Sequence, residues 1–230
     1  MIKQRIFCCL SFLLAIVFCT IRVSGENIYG NVYHAHKNTS MKIALTFDDG
    51  PHPKLTPRIL EILNKYHIHA TFFIVGENAE HYPDLIGKIL EGGHEIGNHT
   101  YTHEKVKASS YSGMKREFEL CETAIYEISE YKTKLLRPPE GFLDNKIKSI
   151  SKEMDYNVIL WNIDTKDWAH TSPKEICRNV TENISPGSII LMHDYISYNS
   201  PTAEALELFI PKLLEMQYRF VVVSDLIGSK

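Results

Sequence analysis

Asp48 and Asp49 are adjacent carboxylates, preceded by Ile43 to Phe47, residue types that make a buried strand. Gly50-Pro51 then ends that strand by turn chemistry. Two neighbouring carboxylates at the mouth of a buried strand repel each other and are costly to desolvate. A cation between them, or a division of labour into base and ligand, offsets that cost. Downstream, His99 and His103 stand four apart, so one turn of chain presents both imidazoles to one ion. With Asp49 they make a carboxylate plus two imidazoles, a set common at catalytic zinc that leaves a position open for water. Arg137, Asp164, Asp167, Trp168 and His193 follow other strand-like runs. Taken singly, each has a plain structural explanation: a solvated Asp-Asp-Gly turn, exposed histidines, an internal salt bridge for Arg137, caps for Asp164 and Asp167, core positions for Trp168 and His193. Their shared placement at the carboxyl ends of successive strands outweighs those explanations, because parallel α/β folds build their sites on that face.

The intervening segments read as the elements that carry these residues. Thr56 can cap a helix with Pro57 in its first turn and Leu55, Ile59, Ile62, Leu63 and Tyr66 on one face. Ala70 to Val75 is a second buried strand. A short helix from Pro83 stops at Gly92-Gly93, and Glu95 to Gly97 is a third strand. Met114, Phe118, Cys121, Ile125 and Ile128 mark the clearest helix. Leu135 to Arg137 is a fourth strand, cut off by Pro138-Pro139. Asp144 caps a helix bearing Ile147, Ile150 and Met154. Val158 to Trp161 is a fifth strand, with Trp161 as core. Ser172-Pro173 starts a helix carrying Ile176, Cys177, Val180 and Ile184, and Ile189 to Met192 is a sixth strand that delivers His193. A last helix lies between Pro201 and Met216, with Pro211 either kinking it or marking its true start. Phe220 to Val223 closes as a seventh strand. This alternation predicts a parallel sheet with crossover helices, and both an incomplete barrel and a doubly wound sheet fit it.

The 230 residues, 44% of them hydrophobic, suit one globular domain after the first 40. A net charge of −3 without a basic run argues against a nucleic-acid partner. Lys3 and Arg5 precede an apolar run from Ile6 to Ile21, and Val23-Ser24-Gly25 offers small residues for cleavage. Residues 1–25 therefore read as a secretory signal. As a helix that run reaches about 24 Å, short of the roughly 30 Å hydrocarbon core, which leaves a retained membrane anchor as the alternative. The expected location is secreted or in the cell envelope. Residues 26–40 are polar and aperiodic, a linker, and the chain is expected to act as a monomer. Cys121 and Cys177 fall at apolar helix positions, where buried packing is the expected role.

Five stretches in this order resemble the polysaccharide deacetylases of the NodB-homology group, carbohydrate esterase family four. They are Thr46-Phe47-Asp48-Asp49-Gly50-Pro51, His99-Thr100-Tyr101-Thr102-His103, Arg137-Pro138-Pro139-Glu140-Gly141, Asp164-Thr165-Lys166-Asp167-Trp168 and Leu191-Met192-His193. The resemblance spans nearly all of residues 42 to 225. It implies a distorted (β/α)7 barrel and metal-assisted removal of acetyl groups from N-acetylated sugars, peptidoglycan above all. It implies a divalent ion on Asp49, His99 and His103, zinc first and cobalt or nickel as alternatives. Asp48 would be the base, paired with Arg137, and His193 the acid, oriented by Asp167. Glu140 and Gly141 would line the acyl site, the Glu140 N–H facing the oxyanion, with Trp168 and Leu191 walling the methyl pocket. One position departs from the family: Glu140 stands where a tyrosine is usual. A chitooligosaccharide deacetylase, an acetylxylan-type esterase and a glycan-binding protein without turnover are the alternatives.

Overall fold

A computed structural model of the chain describes residues 31–36, 40–103, 108–195 and 200–228. The expected signal segment and the first part of the expected linker lie outside the described residues. Nine strands occur among them: β1 (Val32–Tyr33), β2 (Lys42–Asp48), β3 (Thr71–Ile74), β4 (Glu95–Asn98), β5 (Leu135–Leu136), β6 (Asn157–Ile159), β7 (Ile163–Asp164), β8 (Ile189–His193) and β9 (Arg219–Phe220). The helices are α1 (Leu55–Lys65), α2 (Gly76–His81), α3 (Pro83–Glu91), α4 (Tyr111–Ser129), α5 (Asn145–Glu153), α6 (Pro173–Asn183), α7 (Thr202–Glu215) and α8 (Val223–Ile227). None is long and apolar enough to cross a membrane.

The sheet runs β1-β6-β5-β4-β3-β2-β8-β7, with β9 pairing the start of β2. All of these pairings are parallel. Consecutive strands β6 and β7 lie second and last in that order, six strand spacings apart, yet only residues 160–162 join them. In a flat sheet those strands would be roughly 29 Å apart. The connecting chain spans at most about 14 Å. The sheet therefore curls into a barrel, and of the two architectures open to the sequence the incomplete barrel is the one found.

Alternation along β2 shows how the layers form. Ile43, Leu45 and Phe47 pack outward into the main core, with Ile59, Leu63, Phe72, Ile86 and Phe209. Ala44 faces the barrel interior among Phe73, Leu135, Ile159 and Ile189, a cluster closed by Val223, Leu226 and Ile227 of α8. Thr46 and Asp48 are the next inward positions, and both bond the buried Arg137. The inner face thus grades from apolar at the amino-terminal end to charged at the carboxyl-terminal end.

Several expectations need correction. The run Phe220 to Val223 is a strand only to Phe220; Val223 N–H goes to the Thr71 hydroxyl and Ser224 N–H to Glu95 Oε2. Those side-chain acceptors cap a helix start and divert the chain into α8, which plugs the barrel. Thr56 is inside α1 and does not cap it. His52 Nδ1 accepts the N–H groups of Lys54 and Leu55 instead. The expected linker enters the fold: β1 pairs with β6, and Ala35 bridges to Ser188. Pro211 lies within α7 and does not start it. Asp144 and Ser172 cap their helices as expected, Ser172 in a full capping box. Cys121 and Cys177 are buried free thiols.

Candidate active site

The carboxyl ends of β2, β4, β7 and β8, with the segments that follow β4 to β7, open on a cavity of about 410 Å³. It is lined by Asp48, Asp49, His99, His103, Glu140, Trp161, Asp164, Trp168, Leu191 and His193. Asp49 lies in the turn just past β2 with φ 75°, a left-handed conformation that Asp tolerates better than most residues. Asn78 Nδ2 donates to its carbonyl at 2.8 Å, and Val75 N–H to the Gly50 carbonyl at 3.0 Å. The loop from His99 to His103 is gripped by Glu117 of α4, whose Oε2 accepts from the N–H groups of Tyr101 and Thr102 and from the Thr102 hydroxyl. Thr100 Oγ1 accepts the His103 N–H at 3.1 Å, and both residues have positive φ.

These supports bring three atoms together. Asp49 Oδ1 is 3.2 Å from His99 Nε2 and 3.2 Å from His103 Nε2. All three side chains offer ligand atoms within 4.8 Å of one another. The buried His99 ring donates Nδ1–H to the Arg137 carbonyl at 2.7 Å, so in neutral imidazole its Nε2 presents a lone pair to the Asp49 carboxylate. Lone pairs facing each other across 3.2 Å require a positive charge between them. Burial lowers the pKa of His99, but Asp48 and Asp49 outweigh it and raise the value overall. Burial, with the neighbouring His99 imidazole, moves His103 down. Burial raises Asp49, yet its hydrogen bond with His99 and the nearby imidazoles bring it down to about 2. A divalent cation satisfies that demand, and the donor set of one carboxylate and two imidazoles, with the Arg137 carbonyl fixing the tautomer of His99, fits it.

Arg137 is fully buried and ties the barrel to the site. Its NH1 donates to Asp48 Oδ1 at 2.6 Å and to Thr46 Oγ1, and its Nε and NH2 reach the carbonyls of Ile159 and Leu160. Its guanidinium lies 4.1 Å from the Phe73 ring centroid. Asp48 Oδ2 is left on the cavity side, 3.8 Å from His99 Nε2. His193 donates Nδ1–H to Asp167 Oδ1 at 2.8 Å, which leaves Nε2 as the outer ring nitrogen. Burial depresses its pKa, but the Asp167 hydrogen bond and charge, with Asp48 and Asp49, push it up to about 9. Asp167 is itself held by the N–H groups of His193 and Trp168 and by the Thr202 hydroxyl.

Glu140 occupies a left-handed position (φ 58°) in the turn after Pro139, with its side chain exposed. The bonds of that turn run from Gly141 and Phe142 N–H to the carbonyls of Pro138 and Pro139, leaving the Glu140 N–H outside them. Gly141 has φ 64°, and a Cβ there would sit 2.6 Å from Trp161. Glycine is required on both counts.

The structure therefore gathers eleven of the twelve residues picked out by the sequence around one cavity or its immediate supports, with Gly141 behind Trp161. Trp161, expected as core, is half-buried and lines the cavity, 5.5 Å from Arg137. Its position at the end of a strand on the site face was the available signal. Thr46 opens the first motif but its bond to Arg137 was not foreseen, and Glu117 and Thr202 were missed with nothing local to mark them. Asp194 was missed as well. It is fully buried; burial, against the Thr56 hydrogen bond, and the charges of Asp49 and Asp48 push its carboxyl up to about 7.

Residues 35–159 match the polysaccharide deacetylase family. The chain belongs to that family. It is 38% identical over 196 residues to a peptidoglycan-N-acetylglucosamine deacetylase of Bacillus cereus, covering 84% of this chain and 91% of the relative. The crystal structure of the Bc1960 peptidoglycan N-acetylglucosamine deacetylase superposes with a TM-score of 0.84 at 32% identity, over 88% of this chain and 94% of that one. A family 4 acetyl xylan esterase from Clostridium thermocellum, solved with a cobalt ion, superposes at 0.75 with 30% identity, over 81% and 90% of the two chains. The barrel is thus the distorted (β/α)7 type that the sequence resemblance implied, and the chain is a polysaccharide deacetylase of a metal-dependent family.

Proposed function

We propose that this deacetylase removes the N-acetyl group of amino sugars in peptidoglycan outside the cytoplasm, with zinc held by Asp49, His99 and His103. The observation that carries the reading is the pair of proton-transfer groups, each with its own fixed partner, on one cavity. Asp48 is fixed by Arg137 and His193 by Asp167, the two being register partners on the adjacent strands β2 and β8, with the Asp49–His99–His103 cluster beside Asp48. A glycan-binding protein has no use for that division of labour.

Held by Asp49, His99 and His103, a divalent ion would supply Lewis acidity to the acetamide carbonyl and to the attacking water, whose pKa it would lower towards about 7. Asp48 is the base. Its Oδ1 is committed to Arg137, so Oδ2 takes the proton as water attacks the carbonyl carbon. The Glu140 N–H, free of the turn's own bonds, donates to the developing oxyanion. His193 Nε2–H then protonates the amine as the C–N bond breaks. Its raised pKa keeps that proton in place at neutral pH. Trp168 and Leu191 wall the space for the acetyl methyl, and the buried Leu191 excludes water there.

Peptidoglycan is favoured over other glycans by the likeness to the B. cereus enzyme and by the export signal expected in residues 1–25. The likeness to an acetyl xylan esterase supports a second reading, because the same groups cleave an acetyl ester. Incubating the purified zinc-loaded protein with muropeptides, chitohexaose and acetylated xylan, and following acetate release with mass spectrometry, separates them. Release from muropeptides should dominate. Faster release from xylan would overturn the assignment.

A further inference from the structure

The buried Asp194 has no part in the chemistry above, yet it packs directly against the turn that carries Asp49. Its Oδ2 accepts the Thr56 hydroxyl at 2.6 Å, and the same hydroxyl oxygen accepts the His52 N–H at 2.8 Å. Its own N–H donates to the Asp48 carbonyl at 3.1 Å. Its Oδ1 has no hydrogen-bond partner, the only buried side-chain nitrogen or oxygen among the described residues in that position. That oxygen lies against Gly50: a Cβ built on Gly50 would sit 2.1 Å from Asp194 Oδ1 and 2.3 Å from Cγ. A buried carboxylate with one oxygen unsatisfied is costly, and a protein core would ordinarily replace it with an apolar side chain.

We propose that Asp194 is a positioning residue for the ion site, acting as a wedge that holds the Asp49-Gly50-Pro51 turn. The inference rests on Asp49 being a metal ligand. Asp49 has a left-handed backbone, and its turn is secured from the β3 and α2 side by Val75 N–H and Asn78 Nδ2. Those two bonds leave the opposite side open. Asp194 fills it, braced by its own N–H on β2 and by Thr56 at the start of α1. Because Gly50 has no side chain, the carboxylate touches the main chain directly, and a small change at position 194 moves the Asp49 Cα. Asp49 Oδ1 must sit equally close to two imidazoles, so a displacement of a few tenths of an ångström breaks the three-ligand geometry. Shape and a hydrogen-bond acceptor at Oδ2 are what the wedge needs, and asparagine supplies both.

The test is the affinity of the purified protein for Zn²⁺ and Co²⁺, measured by competition with a chromophoric chelator, with circular dichroism confirming the fold of every variant. Asp194→Ala should raise the Kd about tenfold or more, the range seen when groups that hold metal ligands in place are removed. Asp194→Asn should stay within about threefold of the parent. Thr56→Val should shift Kd in the same direction by a smaller factor, and it keeps the proposal testable if Asp194→Ala fails to fold. In turnover on chitohexaose, Asp194→Ala at limiting metal should lose kcat while KM changes by less than about twofold. Parent-like Kd in folded Asp194→Ala and Thr56→Val would overturn the inference, and so would an Asp194→Asn as weak as Asp194→Ala. His99→Ala is the parallel control. If it binds as tightly as the parent, the metal-site reading itself fails, which is a separate result.

Discussion

Asp167→Asn tests the acid assignment where the structure makes the largest electrostatic claim. His193 stands at about 9 because Asp167, by hydrogen bond and charge, overcomes the burial that depresses it from the ordinary 6.5. Removing the charge leaves burial opposed by Asp48 and Asp49 alone, so the value should fall back towards the ordinary 6.5. That fall is worth about 3 kcal/mol of preference for the cationic ring, and at pH 7.5 the protonated fraction drops from near unity to roughly a tenth. A bound cation offsets the carboxylates in parent and variant alike, so the difference between them is the quantity to measure. The assay is kcat/KM for acetate release from pH 5 to 10. The alkaline limb should move down by more than one pH unit in Asp167→Asn. Thr202→Val, which removes one bond to Asp167 and keeps its charge, should leave the limb in place. Stability gives a second readout. A folded-state pKa above the unfolded value contributes stability that is fully present below about 6.5 and lost as pH rises through about 9. The parent should therefore lose Tm over that window, and Asp167→Asn should show a flatter profile there. An unchanged alkaline limb in a folded Asp167→Asn would show that another group is the acid.

Other substitutions examine the remaining parts of the site. Asp49→Ala and His103→Ala should each weaken zinc binding by at least about a hundredfold, whereas Asp48→Asn should keep the ion and lose acetate release; the opposite pattern by chelator competition would exchange the roles of the two aspartates. Glu140→Gln should change turnover of neutral chitohexaose by less than about tenfold, because the backbone N–H is retained and the side chain is exposed; a larger change would place its carboxylate in the acyl site. Gly141→Ala should lower both Tm and kcat/KM, since the left-handed backbone costs about 1 kcal/mol for alanine and the methyl displaces Trp161 from the cavity wall; parent-like activity would show that Trp161 does not touch substrate.

What could be read in the sequence, and what could not, divides along the range of the contacts involved. Asp48, Asp49, His99, Arg137 and His193 announce themselves because each stands at or just past the end of a strand-like run, His103 and Asp167 follow within a few residues of such ends, and strand ends on one face converge by topology alone. Trp161 follows such a run too, but an aromatic there is equally suited to a core, and only the empty position above Gly141 gives its ring a place on the cavity. The barrel's end is harder. Val221, Val222 and Val223 favour a strand by every local measure, and the strand stops because Thr71 and Glu95, acceptors from β3 and β4, take the next N–H groups. Two-residue strands such as β1 and β7 carry no period, so pairing partners alone define them. Asp194 is the limiting case. An aspartate after a histidine is unremarkable as sequence, and its character comes from burial against Gly50 and from Thr56, 138 residues away in the chain. Chemistry presented by a strand end is legible one residue at a time. The parts that hold it to a tenth of an ångström are legible only once the barrel has brought distant segments into contact.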